Sequence, residues 1–430
     1  MFAKRMTQGG GAGRPESLKA WALIASAFLL MSVPIAASGP EPVLVIKGGT
    51  VLTMAGTPIK GGTILVRGGR IAEVGDNVAV PEGATIIDAS GKYVLPGLID
   101  AMSYHGLRLA DRNDASNPAT PENRILPAYH PASFTDAGGD EGRELLAGGV
   151  TTIYIAPGSA QAIGGQGAVV KTFGRLPGVT VLRDPASVDM TLGDGVRSPS
   201  SRMAVASLIR KTLAGARDSL ERPETSAKVP RSAATEALAR VLRKETPARI
   251  EADLPDDIRT AVRIADEFGL ALVIDGGEGA YRVRELLAAK GIAVVLGPVS
   301  HAAVSGRASQ ASPELWAIRD ERNAAMLAHA GVKIALASFG YGAGGAENGH
   351  PGRWLLLEAA LATGFGLPED DALKAVTINA AEILGVADRV GTLEQGKDAD
   401  IVVCDGPPLG LKTRIERVFV DGKPVYEKER

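Results

Sequence analysis

The sequence predicts an α/β fold, a TIM-like (β/α)8 barrel carrying a small composite β domain formed by both chain ends. Three observations predict it. Glycine-punctuated, β-branched runs near the start return at the end of the chain, apolar strand-like runs alternate with helical stretches between them, and those strand-like runs number eight.

At the amino terminus, Lys4, Arg5, Arg14 and Lys19 precede the apolar run "AWALIASAFLLMSVPIAAS", which closes in small residues suited to signal-peptidase cleavage. Residues 1–39 are expected to be a signal peptide, and the protein to be exported to the periplasm or the extracellular space. An uncleaved anchor is the alternative, because the run approaches the ~20 residues that span a bilayer. No later segment has that length and apolarity, so no stable membrane span is expected after cleavage.

Residues 40–95 form the first part of the β domain, with "VLVIKGGTVL", "GTILVRGGRIAEVG" and "ATIIDASGKYVL" reading as short strands joined at glycines. The second part is 390–430, where "DADIVVCDG" and "RVFVDGKPVYEK" show the same texture. Residues 96–389 form the barrel. Its eight strands are placed at "GLIDAMSY", "VTTIYIAP", "AVVKTF", "SVDMTL", "ARIEAD", "LALVIDG", "IAVVLGP" and "KIALASF", all expected to run parallel. Apolar residues every three or four positions mark helices in "DDIRTAVRIADEF", "AYRVRELLAAK" and "ERNAAMLAHA", and Pro368 with three acids after it starts another. The chemistry of such a barrel belongs at the C-terminal ends of its strands. Two irregular segments, 111–135 after the first strand and the Gly-rich 338–353 after the eighth, read as loops at that mouth.

Composition narrows the function. The 430 residues are 45% hydrophobic and 22% charged with a net charge of −2, which gives no electrostatic reason for a nucleic-acid partner. The single cysteine, Cys404, excludes an internal disulfide and any multi-cysteine zinc site, and its strand context makes it a buried small hydrophobe. The five histidines include no pair spaced for a metal.

Five stretches carry a family likeness: "VLVIKGGTVL", "GKYVLPGLIDA", "LLAGGVTTIYIAPGSAQAIGGQGAVVK", "AVTINAAEILGVADRVGTLEQGKDADIVV" and "VFVDGKPVY". Through them the chain resembles the amidohydrolase superfamily, in particular its imidazolonepropionase-like members. The resemblance implies hydrolysis of non-peptide C–N bonds, amide or cyclic amide, by water activated on zinc or another divalent metal.

The residues matched to the family's metal ligands are substituted. The first-strand His-x-His corresponds to Met102 and Tyr104, the fourth-strand lysine to Asp189, the fifth-strand histidine to Glu251 or Asp253, the sixth-strand histidine to Gly276, and the eighth-strand aspartate to Phe339. A thioether is a poor zinc ligand, a phenol titrates near 10, and a phenyl ring carries no proton. No metal cofactor is therefore expected, and whether the chain is an enzyme at all is left open.

Three readings follow. The first is an exported pseudoenzyme that binds a small molecule or assembles as a homo-oligomer or with an active amidohydrolase relative. The second is an active C–N hydrolase with a rebuilt carboxylate or hard-metal site at Asp189, Glu251 and Asp253, aided by Asp275 or Glu278, unless these acids are solvated or paired with Arg249 or Lys171. The third uses the barrel mouth as a binding pocket alone. His301, after the seventh strand, is a further catalytic candidate. Lys171 matches the family pattern, and the glycines before it serve either packing or ligand binding.

Overall fold

The computed structural model describes residues 43–105, 125–128, 140–159, 161–174, 179–193, 201–221, 232–299, 313–340 and 352–428. The segment read as a signal peptide, His130, His301, His350 and most of both mouth loops lie outside the described residues. Among the described residues no helix is long and apolar enough to cross a membrane.

Strands are numbered in chain order. The first sheet joins the two chain ends. It contains β1 (Val43–Val51), β2 (Ile59–Arg67), β3 (Arg70–Gly75), β4 (Thr85–Asp88) and β5 (Tyr93–Pro96) with β14 (Ile401–Cys404), β15 (Ile415–Val420) and β16 (Lys423–Glu427), in the order β16-β15-β14-β5-β1-β2-β3, with β4 beside β1. The junction is β5 against β14, antiparallel from Tyr93↔Cys404 to Pro96↔Ile401. Val94, Ile401, Val403 and Phe419 bury one face of it. Cys404 is buried, and burial pushes its thiol up to about 12, so it is a packing residue and not a nucleophile.

The second sheet holds β6 (Leu98–Ser103), β7 (Val150–Ile155), β8 (Ile163–Lys171), β9 (Val181–Thr191), β10 (Ala248–Ala252), β11 (Leu272–Gly276), β12 (Ala293–Leu296) and β13 (Ile334–Leu336), side by side in chain order. All eight expected strands are present. The edges meet just past β13, where Phe339 N–H donates to Met102 O and Tyr104 N–H to Gly340 O, each at 3.0 Å. The sheet is thus nearly a barrel.

One expectation is corrected. The third strand, β8, runs antiparallel to both β7 and β9. Its flanking connections, 156–162 and 172–180, are too short for the helical crossover that a parallel strand needs, so β8 pairs antiparallel with its neighbours. It also begins at Ile163, earlier than the run "AVVKTF".

Elsewhere local sequence sets the crossovers. The helix after β10, Pro255–Phe268, starts with proline and two acids in its first turn, buries Ile258, Ala261, Val262, Ile264 and Phe268, and ends on Gly269 at φ 68°. The stretch after Pro368 makes two helices, Glu369–Ala375 and Ile378–Leu384. They break at Val376, whose carbonyl accepts from the β6 amide of Ile99 at 2.9 Å.

Lys171 closes the link between the sheets. Its buried Nζ lies 2.9 Å from Asp398 and 3.0 Å from Asp400, and also bonds Asp421, all on the C-terminal segment. Burial alone would lower the ammonium's pKa, but the three carboxylates together raise it.

Candidate functional site

The barrel interior is built around Arg249, among the largest fully buried side chains. It comes from the middle of β10, where Arg249 and Glu251 share a face because strand side chains alternate. Arg249 Nε and Nη2 donate to Asp275 Oδ2 and Oδ1 at 2.9 and 2.6 Å, a bidentate pair, and Nη2 also donates to Ala101 O at 2.9 Å. The guanidinium lies 3.9 Å from the centre of the Tyr154 ring and 3.9 Å from Met102 Sδ. Burial opposes its charge, but Asp275 outweighs that and holds the guanidinium protonated.

Asp189 sits beside Arg249, its register partner on β9. Its Oδ1 accepts from the Tyr154 hydroxyl at 2.5 Å and from Ser187 Oγ at 2.7 Å. Burial raises the Asp189 carboxyl to about 6 against the pull of Arg249, with Asp275 adding to the rise. Tyr154 needs Gly167 beneath it, since a Cβ there would lie 1.9 Å from the phenol oxygen. At least this glycine of "GGQGAVVK" therefore serves packing. Among the described residues, Arg249 Nη1 and Asp189 Oδ2 are buried and make no hydrogen bond.

The other candidates go different ways. Glu251 is buried one layer up, level with Asp275. Asp253 turns against Gly276, where an added Cβ would fall 2.3 Å from its Oδ1. Glu278 faces Arg319 at 3.4 Å. Lys171 pairs with the C-terminal aspartates and not with Asp189. Met102, Tyr104 and Phe339 are buried. Phe339 holds φ 47°, an uncommon conformation for a bulky residue and a strain of roughly 1–3 kcal/mol.

These positions yield two expected results. Gly276→His loses roughly 2–4 kcal/mol in urea denaturation, because φ 84° and the Asp253 carboxylate both oppose a Cβ. Asp189 supplies a pH signature. Its carboxyl rises from the ordinary 3.8 to about 6 on folding, so the folded state holds the proton more tightly. That stabilisation is fully present below pH ~4 and is lost as pH rises through about 6, on the order of 3 kcal/mol. Unfolding curves of Asp189→Asn between pH 4 and 7 lack this component.

Comparison with known proteins identifies the scaffold. Residues 143–425, well over half of the chain, match the family model described as the amidohydrolase family. The chain belongs to the amidohydrolase family. The crystal structure of an amidohydrolase from Thermotoga maritima MSB8 is 34% identical with a TM-score of 0.78, covering 90% of this chain and 100% of that one. Amidohydrolase tasK from Hapsidospora irregularis is 26% identical over 85% of this chain, which spans 40% of that relative's length. A 5-methylthioadenosine/S-adenosylhomocysteine deaminase from Symbiobacterium thermophilum is 25% identical, covering 89% of this chain and 93% of its own.

Membership supports hydrolysis of C–N bonds as the reaction of this scaffold. It also corrects the expectation that no cofactor is used, since amidohydrolases typically work with a divalent metal. The described strand-end residues do not themselves fit such a metal. Among the described residues no three His, Cys, Asp or Glu side chains are grouped to hold one, and the Arg249 guanidinium already lies against Met102 and Asp275.

From the sequence Arg249 reads only as a neutralising partner, and neither Tyr154 nor Ser187 stands out. The available signal was an arginine between Ala248 and Ile250, two residues from the acid Glu251 on the same face of a strand whose other three residues are apolar.

Proposed function

We propose that this amidohydrolase-family protein is exported and binds an amide-type small molecule in the barrel interior without hydrolysing it. The observation that carries the reading is the unused pair of buried groups on neighbouring strands: the Arg249 Nη1 donor and the Asp189 Oδ2 acceptor. Leaving such groups unpaired costs about 1–3 kcal/mol each, and an amide or ureido group offers a carbonyl to the first and an N–H to the second. Phe339, the residue matched in sequence to the family's eighth-strand aspartate, is buried and carries no proton to transfer, which supports binding over turnover. Assembly with another polypeptide fits the tasK likeness, in which the matching region belongs to a longer chain.

Calorimetric titration with cyclic amides and ureides tests the binding. At least one ligand is expected whose affinity falls on Asp189→Asn, because the amide nitrogen of asparagine presents a second donor to the ligand N–H. Uniform absence of binding, or affinity indifferent to Asp189, sinks the reading.

One observation favours a second reading, an active hydrolase with an acid/base group at Asp189. Asp189, raised to about 6 and bonded to Tyr154 and Ser187, has the pKa of a proton-transfer group near neutral pH. Turnover that follows a single ionisation near 6 and is abolished in Asp189→Asn would favour it.

A further inference from the structure

The helix Leu355–Gly364, "LLLEAALATG", is apolar almost all round. Helices of that kind are covered on every side. Its inner face is buried through Leu355, Glu358, Ala359 and Ala362, and both polar residues are used within the chain: Glu358 Oε2 accepts from Val299 N–H at 2.6 Å and Thr363 Oγ1 donates to Ala360 O at 2.7 Å. The outer face carries Leu357, Ala360, Leu361 and Gly364, spaced three or four apart, with no charge among them. Trp354 and Phe365 flank the helix at its two ends, and Trp354, Leu357 and Phe365 are 36–40% exposed. A groove of about 390 Å³ runs along its N-terminal half against Pro408–Leu411 and Tyr426, and Leu411 is 83% exposed.

The charges at the two ends differ. Arg353, Arg414 and Lys428 line the groove at the start of the helix; Arg353 already pairs with Glu144 at 2.7 Å, Arg414 and Lys428 carry the remaining basic charge, and among the described residues no acid lines the groove. Beyond its end, Glu369, Asp370 and Asp371 form the first turn of the next helix, with Glu369 and Asp370 exposed.

We propose that this face is the two-fold contact of a homodimer, in which the helix Leu355–Gly364 packs antiparallel against the same helix of a second copy. An antiparallel arrangement brings the basic end of each copy to the acidic end of the other, satisfying both sets of charges at once, as an isologous interface requires. Ala360 and Gly364 let the helices approach closely, and the exposed Trp354, Leu357 and Phe365 are covered. A parallel arrangement would set like charges together.

Light scattering on the purified protein at micromolar concentration tests this, with a mass of two chains expected. Leu357→Asp reduces it to one chain, while circular dichroism shows the fold retained. Leu361→Cys, near the two-fold axis, gives a disulfide-linked dimer on mild oxidation, since the sole native cysteine, Cys404, is buried. Arg414→Glu with Lys428→Glu, and Glu369→Lys with Asp370→Lys, each weaken the dimer roughly tenfold or more, and the four changes together restore it. A one-chain mass for the unaltered protein, a dimer indifferent to Leu357→Asp, or charge reversals that fail to rescue each other overturns the proposal. The first of these outcomes would leave the face to a different, acidic protein.

Discussion

Arg249→Met is expected to destabilise the protein by about 3–5 kcal/mol, the cost of removing one partner from a buried ion pair. The substitution keeps most of the side chain's volume, so the loss comes chiefly from charge. It strands Asp275, which holds the guanidinium through two hydrogen bonds, and removes the cation facing Asp189 and the Tyr154 ring. Asp275→Leu alone strands the guanidinium in the same way. The double variant Arg249→Met/Asp275→Leu recovers most of the loss, because it leaves no uncompensated charge at the pair. Urea denaturation of the four proteins measures the coupling. Additive losses would mean that the pair does not organise the barrel interior.

Lys171→Met is expected to cost a similar 3–5 kcal/mol at neutral pH, through a different part of the fold. Three carboxylates, Asp398, Asp400 and Asp421, converge on one ammonium where the barrel meets the composite sheet. Without it they repel one another in a site where burial already lifts Asp400 to about 6. Protonation relieves that repulsion, so the variant's deficit shrinks as pH is lowered from 8 toward 5. A deficit of the same size at both pH values would contradict the account.

The architecture was legible in the sequence because its signals are local. Glycine-bounded β-branched runs marked the strands of both sheets, and the helix at Pro255–Phe268 announced itself by its proline, its acids and its closing glycine. The direction of β8 was missed because its composition does not encode it. What encodes it is the shortness of 156–162 and 172–180, which leaves no room for a crossover. The site was half legible. The motifs "LPGLIDA" and "ALASF" place Met102 and Phe339 at strand ends, and the structure joins their backbones across the barrel closure.

What now fills the interior depends on contacts between strands far apart in the chain. Arg249 meets Asp275 from β11 and Tyr154 from β7, and no spacing rule links those three positions. The fit of Tyr154 over Gly167, and of Asp253 against Gly276, depends on the absence of a single Cβ. Such fits follow from the register between strands, which the sequence of any one strand does not contain.

The most direct test of the central claim, that the scaffold binds an amide-type ligand without hydrolysing it, is product analysis by mass spectrometry. The purified protein, supplied with zinc or manganese so that the family's metal is not limiting, is incubated with each cyclic amide or ureide that calorimetry shows to bind. The ligand is expected to be recovered intact at the uncatalysed rate. Catalytic appearance of the ring-opened product, abolished by Asp189→Asn, would contradict it.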